Sequence, residues 1–103
     1  MLFHSKQAAP PAADGEVHVK RRRDHMAGLW AAELLGLLGH AAKDYAHDLA
    51  HAHDGDHDGD EKLVQRLVKD LKGKAAVSEI REKLAQLVHE ARRQLHGGGS
   101  SKS

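Results

Sequence analysis

The chain of 103 residues has no cysteine, two prolines, and a single Phe, Trp and Tyr each. Without cysteine there is no disulfide framework and no thiolate site, which fits a reducing compartment. No apolar run approaches the ~18 residues that a membrane span needs. The amino-terminal MLFHSKQAAPPAADG holds one lysine and no apolar segment of signal-peptide length, so it is expected to be retained in a cytoplasmic protein. Charge of one sign is also missing. Sixteen Lys and Arg against fifteen Asp and Glu leave a formal net charge of +1, so no global field points to nucleic acid. There is no glycine-rich phosphate loop, and Ser5, Ser78 and the tail serines lie outside any nucleophile elbow or triad pattern. A domain this small has little room for a deep cleft. A binding or regulatory module is therefore expected rather than an enzyme, with no catalytic residue and no cofactor.

What the sequence does contain is helical periodicity. Residues 1–15, with Pro10, Pro11, Gly15 and several alanines, show no period and are expected to be disordered. From Glu16 onward, Met26, Leu29, Trp30, Leu34, Leu37 and Leu38 recur at helical spacing and predict a first helix ending near Gly39. A second runs from Ala41 to about Ala52, with Ala42, Tyr45, Ala46 and Leu49 on one face. Leu63, Val64, Leu67, Val68 and Leu71 outline a third, capped by Asp58 or Asp60 and closed by Gly73. The fourth carries Val77, Ile80, Leu84, Leu87, Val88, Ala91 and Leu95 on one stripe, with Ser78 as its N-cap. Each narrow stripe can be buried only against the others, so the fold class is all-α, a compact antiparallel four-helix bundle over residues 16–96 with a flexible tail at 97–103. The expected core anchors are Trp30, Leu34, Tyr45, Leu67, Ile80 and Leu84. Trp30, the one large residue among small alanines, is expected at the centre of the bundle; the competing reading makes it a partner-facing hot spot.

Two polar constellations remain. Glu16, Val17, His18 and Val19 lead into the basic run Lys20, Arg21, Arg22 and Arg23, which could pair with acidic patches on a partner or simply form the solvated start of a helix. In HDLAHAHDGDHDGDEKLVQ, His47 and His51 share a helix face, and His53 or His57 could complete a tetrahedral zinc or nickel set. Asp54, Asp56, Asp58, Gly59 and Asp60 also resemble the first half of a calcium loop, but Gln65 stands where the bidentate glutamate belongs. The third reading is a solvated linker. A small metal-handling protein built on this loop is the alternative to a regulator. The ten histidines add a possible response to acidification, since imidazoles change charge between about pH 5 and 8.

The run RRRDHMAGLWAAELLG, the DYA that follows and VSEIREKLAQLV resemble the ζ subunit family of alphaproteobacterial F-type ATP synthases across roughly Arg22 to Leu95. The likeness is carried by Arg22 and Arg23, by Gly28 to Glu33, by Tyr45 and Ala46, and by Ile80 and Arg81. It implies a four-helix protein that binds the catalytic sector of the ATP synthase and inhibits ATP hydrolysis through its amino-terminal segment, here Glu16 to Arg23. The resemblance also implies a protein peripheral to the inner membrane, without insertion of its own, and expected to be monomeric when free. The sequence departs from the family at Pro10 and Pro11, and at Val17 where a phenylalanine is usual, which implies weaker inhibition.

Overall fold

The computed structural model describes residues 11–53 and 58–97, with side chains from Gly15 to His53 and from Asp58 to Leu95. Four α-helices follow one another: α1, Pro11–Leu35; α2, Gly39–His51; α3, Gly59–Asp70; and α4, Val77–Arg92. A π-helical turn, Arg93–Gly97, prolongs α4. No strand occurs among the described residues. The fold is the all-α four-helix arrangement that the periodicity implies.

The helix boundaries follow local chemistry. α1 starts at Pro11, so residues 11–15 are helical rather than disordered, while residues 1–10 lie outside the described residues. Proline is suited to a first helical position, where its missing N–H would have no partner and its φ is already helical. The helix ends before Gly36 rather than near Gly39. Gly36 takes φ +78°, which lets its own N–H reach Glu33 O at 3.1 Å and the Leu37 N–H reach Ala32 O at 2.9 Å. These paired bonds form a Schellman stop that satisfies two carbonyls of the last turn. At α3, Asp58 occupies the N-cap position, but its side chain makes no capping bond and lies 3.5 Å from Lys62 instead. Ser78 sits within α4 and not at its cap. Ala76 holds that place, and its N–H donates to Glu79 Oε1 at 2.8 Å. Gly97 belongs to the π-helical turn rather than to a free tail.

The core differs from the expected stripe in α1. Val19, Ala27, Ala31 and Ala32 of this helix are fully buried, whereas Leu29 and Leu34, and Leu38 beyond its end, are 42%, 38% and 83% exposed. The cause is the approach of α2. A Cβ added to Gly28 would lie 2.5 Å from Ala46 Cα, so the two backbones meet where only small residues fit. Large side chains are displaced to the flanks of this contact. Trp30 is accordingly half-buried at the edge of the core, not at its centre, with Lys83 Nζ 5.7 Å from its ring. Leu34 is no core anchor. The bulky interior comes from the other helices: Leu49 of α2, Leu63 and Leu67 of α3 with Leu71 just beyond it, and Ile80 and Leu84 of α4. Tyr45 packs against this cluster while half-buried.

α1 packs most extensively against α2 and α4. Arg92 reaches Glu16 at one end of α1, and Lys83 reaches Trp30 further along, so α1 and α4 run antiparallel. α3 touches all three partners through polar contacts: Asp60 with Arg23 of α1, Asp70 with Tyr45 of α2, and Glu61 with Arg81 of α4.

Candidate functional site

The segment Glu16 to Arg23 lies within α1, and helical geometry divides it into two faces. Val19 and Arg23, four residues apart, point into the protein and are buried. Their side chains therefore face the core, whereas the expectation for the whole run places all eight residues toward a partner. Glu16, Val17, His18, Lys20 and Arg22 are exposed, and Arg21 is half-buried. Val17 is 53% exposed and is the apolar member of this outer face.

Arg23 is a buried cation that needs partners, because an unpaired charge inside a protein is costly. Its Nε donates to Asp24 Oδ1 at 2.7 Å and its Nη2 to Asp60 Oδ1 at 2.8 Å. Lys20 approaches the other oxygen of Asp60 at 3.4 Å. The Arg23 hydrogen bond holds the Asp60 carboxyl below the usual carboxylate range, against some opposing burial. For Asp24, burial outweighs the attraction of Arg23 and moves its carboxyl upward. Arg23 itself loses by desolvation and gains more from the two aspartates, so its guanidinium is held more firmly charged. This triad joins the outer basic face to the first turn of α3.

A second fastening lies on the other side of α1. Arg92 bonds Glu16 at 3.1 Å, Arg22 Nε donates to Gln94 Oε1 at 2.8 Å, and Gln94 Nε2 donates to Glu90 at 3.2 Å. The outer face is therefore presented on a helix held from two directions. Nearer the other end of α3, the Tyr45 hydroxyl donates to Asp70 at 2.7 Å, Arg66 lies 5.3 Å from the Tyr45 ring centroid, and burial together with Asp70 pushes the phenol upward.

The metal reading fares differently. His47 and His51 stand side by side with ring centroids 4.6 Å apart. His53 is half-buried beyond the end of α2, and His57 lies outside the described residues. Among the described residues no group of three or more His, Cys, Asp or Glu is placed to hold a metal ion. Of the calcium-loop residues, Asp60 is engaged elsewhere. Asp60 and Glu61 are helical residues paired with Arg23 and Arg81, and Asp54 and Asp56 lie outside the described residues. Asp60, Asp70 and Gln94 were not legible as tertiary partners. Asp60 reads locally as a cap, and its distance of 37 positions from Arg23 leaves no pattern in the sequence.

An exposed basic face on a helix fastened through Arg23 and Arg22 suits protein–protein contact. None of the curated proteins and none of the solved structures compared with the chain gave a match. The family model for ATPase inhibitor subunit zeta, however, matches residues 12–94, from the first turn of α1 to Gln94 in its clasp on Arg22. A match over that span takes in all four helices and both fastenings, and the chain belongs to the ATPase inhibitor subunit zeta family.

Proposed function

We propose that the chain is a regulatory, non-enzymatic subunit that binds the catalytic sector of an F-type ATP synthase and restrains ATP hydrolysis. The observation that carries this reading is the family match over residues 12–94. The exposed basic face of α1 supports it, because Lys20, Arg21 and Arg22 can meet acidic groups on a partner while Val17 adds apolar contact. In this reading the contact residues are Glu16, Val17, His18, Lys20, Arg21 and Arg22, together with the chain that precedes them. The protein then sits on the cytoplasmic side of the inner membrane, held there by the ATP synthase, and is monomeric when free. No helix among the described residues is long and apolar enough to cross a membrane.

The test is ATP hydrolysis by the purified catalytic sector of the source organism's ATP synthase, titrated with the full chain. Saturable inhibition is expected. Removal of residues 1–15 leaves Val19 in the core and the Glu16 to Arg92 pair intact, so the truncated chain should keep its helical signal while losing most of its inhibition. Absence of inhibition by the full chain at micromolar concentrations would sink the proposal.

A further inference from the structure

The turns of α1 before Arg23 project past the helix that packs beside the rest of it. Gly28 meets Ala46, and the two helices run in opposite directions from a short connection, so His51, the last residue of α2, lies level with Arg23. Glu16 and Arg22 are met instead from the end of α4 and the π-helical turn. Arg92 bonds the Glu16 carboxylate at 3.1 Å, and Gln94 Oε1 accepts from Arg22 Nε at 2.8 Å. Gln94 is itself set in place: its amide donates to Glu90 Oε2 at 3.2 Å and faces the Met26 sulfur at 3.9 Å, and Glu90 also pairs with Arg93.

Neighbouring arginines of α1 differ in what holds them. Arg23 is buried and bonded to two carboxylates, a joint that cannot open without stranding a charge. Arg22 is exposed and bonded to a neutral amide, and such a bond is roughly half as strong as one to a carboxylate. The pair of Glu16 and Arg92 stands in water on both sides, where an ion pair contributes little. Both contacts can therefore yield to charged groups on a partner. While they persist, they occupy what a partner would use: Gln94 takes the Nε–H of Arg22, one of the two parallel donors with which a guanidinium grips a carboxylate side-on.

We propose that Arg92 and Gln94 form a displaceable clasp, which keeps Glu16 and Arg22 on the protein's own surface until the partner takes them over. The clasp is a self-masking contact, because affinity falls in proportion to the fraction of molecules in which it is open. The inference rests on the inhibitor reading above and goes beyond it by giving the end of α4 a restraining role.

The experiment compares the full chain with R92A/Q94A in titrations of ATP hydrolysis by the purified catalytic sector. Neither residue belongs to the contact set or to the core cluster, so the variant should stay folded, which its melting curve checks. Its half-maximal concentration is expected to fall roughly three- to tenfold, in keeping with the loss of two exposed contacts. Loss of the Arg92 charge by itself would act the other way, by weakening attraction to an acidic partner. Arg93→Ala removes an equal charge from the neighbouring position, where the side chain bonds Glu90, and should not strengthen inhibition. In the free chain, exchange of the Arg22 Nε–H with water should quicken at least about threefold in R92A/Q94A. Gln94→Ala alone should move both readings in the same direction by less. If R92A/Q94A inhibits like wild type or more weakly, or if Arg93→Ala strengthens inhibition as much, the clasp is refuted while the inhibitor reading stands. An unchanged exchange rate at Arg22 refutes it as well. A wild-type chain that does not inhibit overturns the inhibitor reading first, and the clasp with it.

Discussion

At the scale of single residues, Gly28 decides more than the tryptophan two positions on. Its missing Cβ lets α1 approach Ala46 of α2 so closely that alanines fill the interface and Trp30 is left at the margin. Gly28→Ala should force the helices apart, because the obstacle at 2.5 Å is backbone and not a flexible side-chain tip. Overpacking of this kind costs about 1–3 kcal/mol, or a fall in thermal midpoint of roughly 4–8 °C per kcal/mol for a domain of this size. Circular dichroism melting of the two proteins measures it, and an unchanged midpoint would show that the close approach is dispensable. The same contact explains why the buried face of α1 was hard to read. A hydrophobicity pattern gives weight to Leu29, Trp30 and Leu34, whereas the buried positions are Ala27, Ala31 and Ala32, whose value lies in being small. Size complementarity depends on the facing helix, and one helix's sequence does not contain it.

At the scale of elements, α2, α3 and α4 were legible because their leucines, valines and isoleucine lie on stripes that the structure buries, including Leu49, Leu63, Leu67, Ile80 and Leu84. The start of α1 was not, since Pro11 is a helix breaker in the interior and a good first residue, and the two roles look identical in sequence. The candidate site was half legible for a related reason. The basic run announced a charged face, but only helical phase and tertiary burial show that Arg23 turns inward while Arg22 faces out. This division predicts unequal consequences for two ion pairs on the same helix. Glu16 and Arg92 are both well exposed, so Glu16→Ala should cost under about 1 kcal/mol. Arg23→Ala removes hydrogen bonds to two aspartates, one of them mostly buried, and should cost roughly 2 kcal/mol. Urea denaturation of both variants measures the difference. Equal destabilisation would mean that the Arg23 triad is no stronger a joint between α1 and α3 than a surface pair.

For the whole molecule, that triad gives stability a dependence on pH whose sign can be worked out group by group. Asp60 has a folded pKa held below its ordinary value of 3.8 by the Arg23 hydrogen bond. Its contribution is therefore complete above that value and is lost as the pH falls through the lower folded one. Because the Asp60 side chain is 56% exposed, solvent screening limits this contribution to about 1 kcal/mol. Asp24 behaves in the opposite sense. Burial raises its pKa, so its favourable share exists below 3.8 and disappears as the pH rises through the folded value. At pH 7 the ionised Asp24 thus offsets part of what its bond to Arg23 provides, whereas the ionised Asp60 does not. Asp60→Asn should accordingly lower the melting temperature at pH 7 more than Asp24→Asn, although Asp24 has the slightly shorter bond to Arg23. The Asp60→Asn and wild-type curves should converge as the pH falls through the lowered folded pKa of Asp60, below which the wild-type group is also neutral. Melting temperatures across this range for the three proteins separate the two aspartates. A constant gap between wild type and Asp60→Asn down to the lowest pH would place the role of Asp60 in its shape and not in its charge, and the first turn of α3 would then be held to α1 by packing.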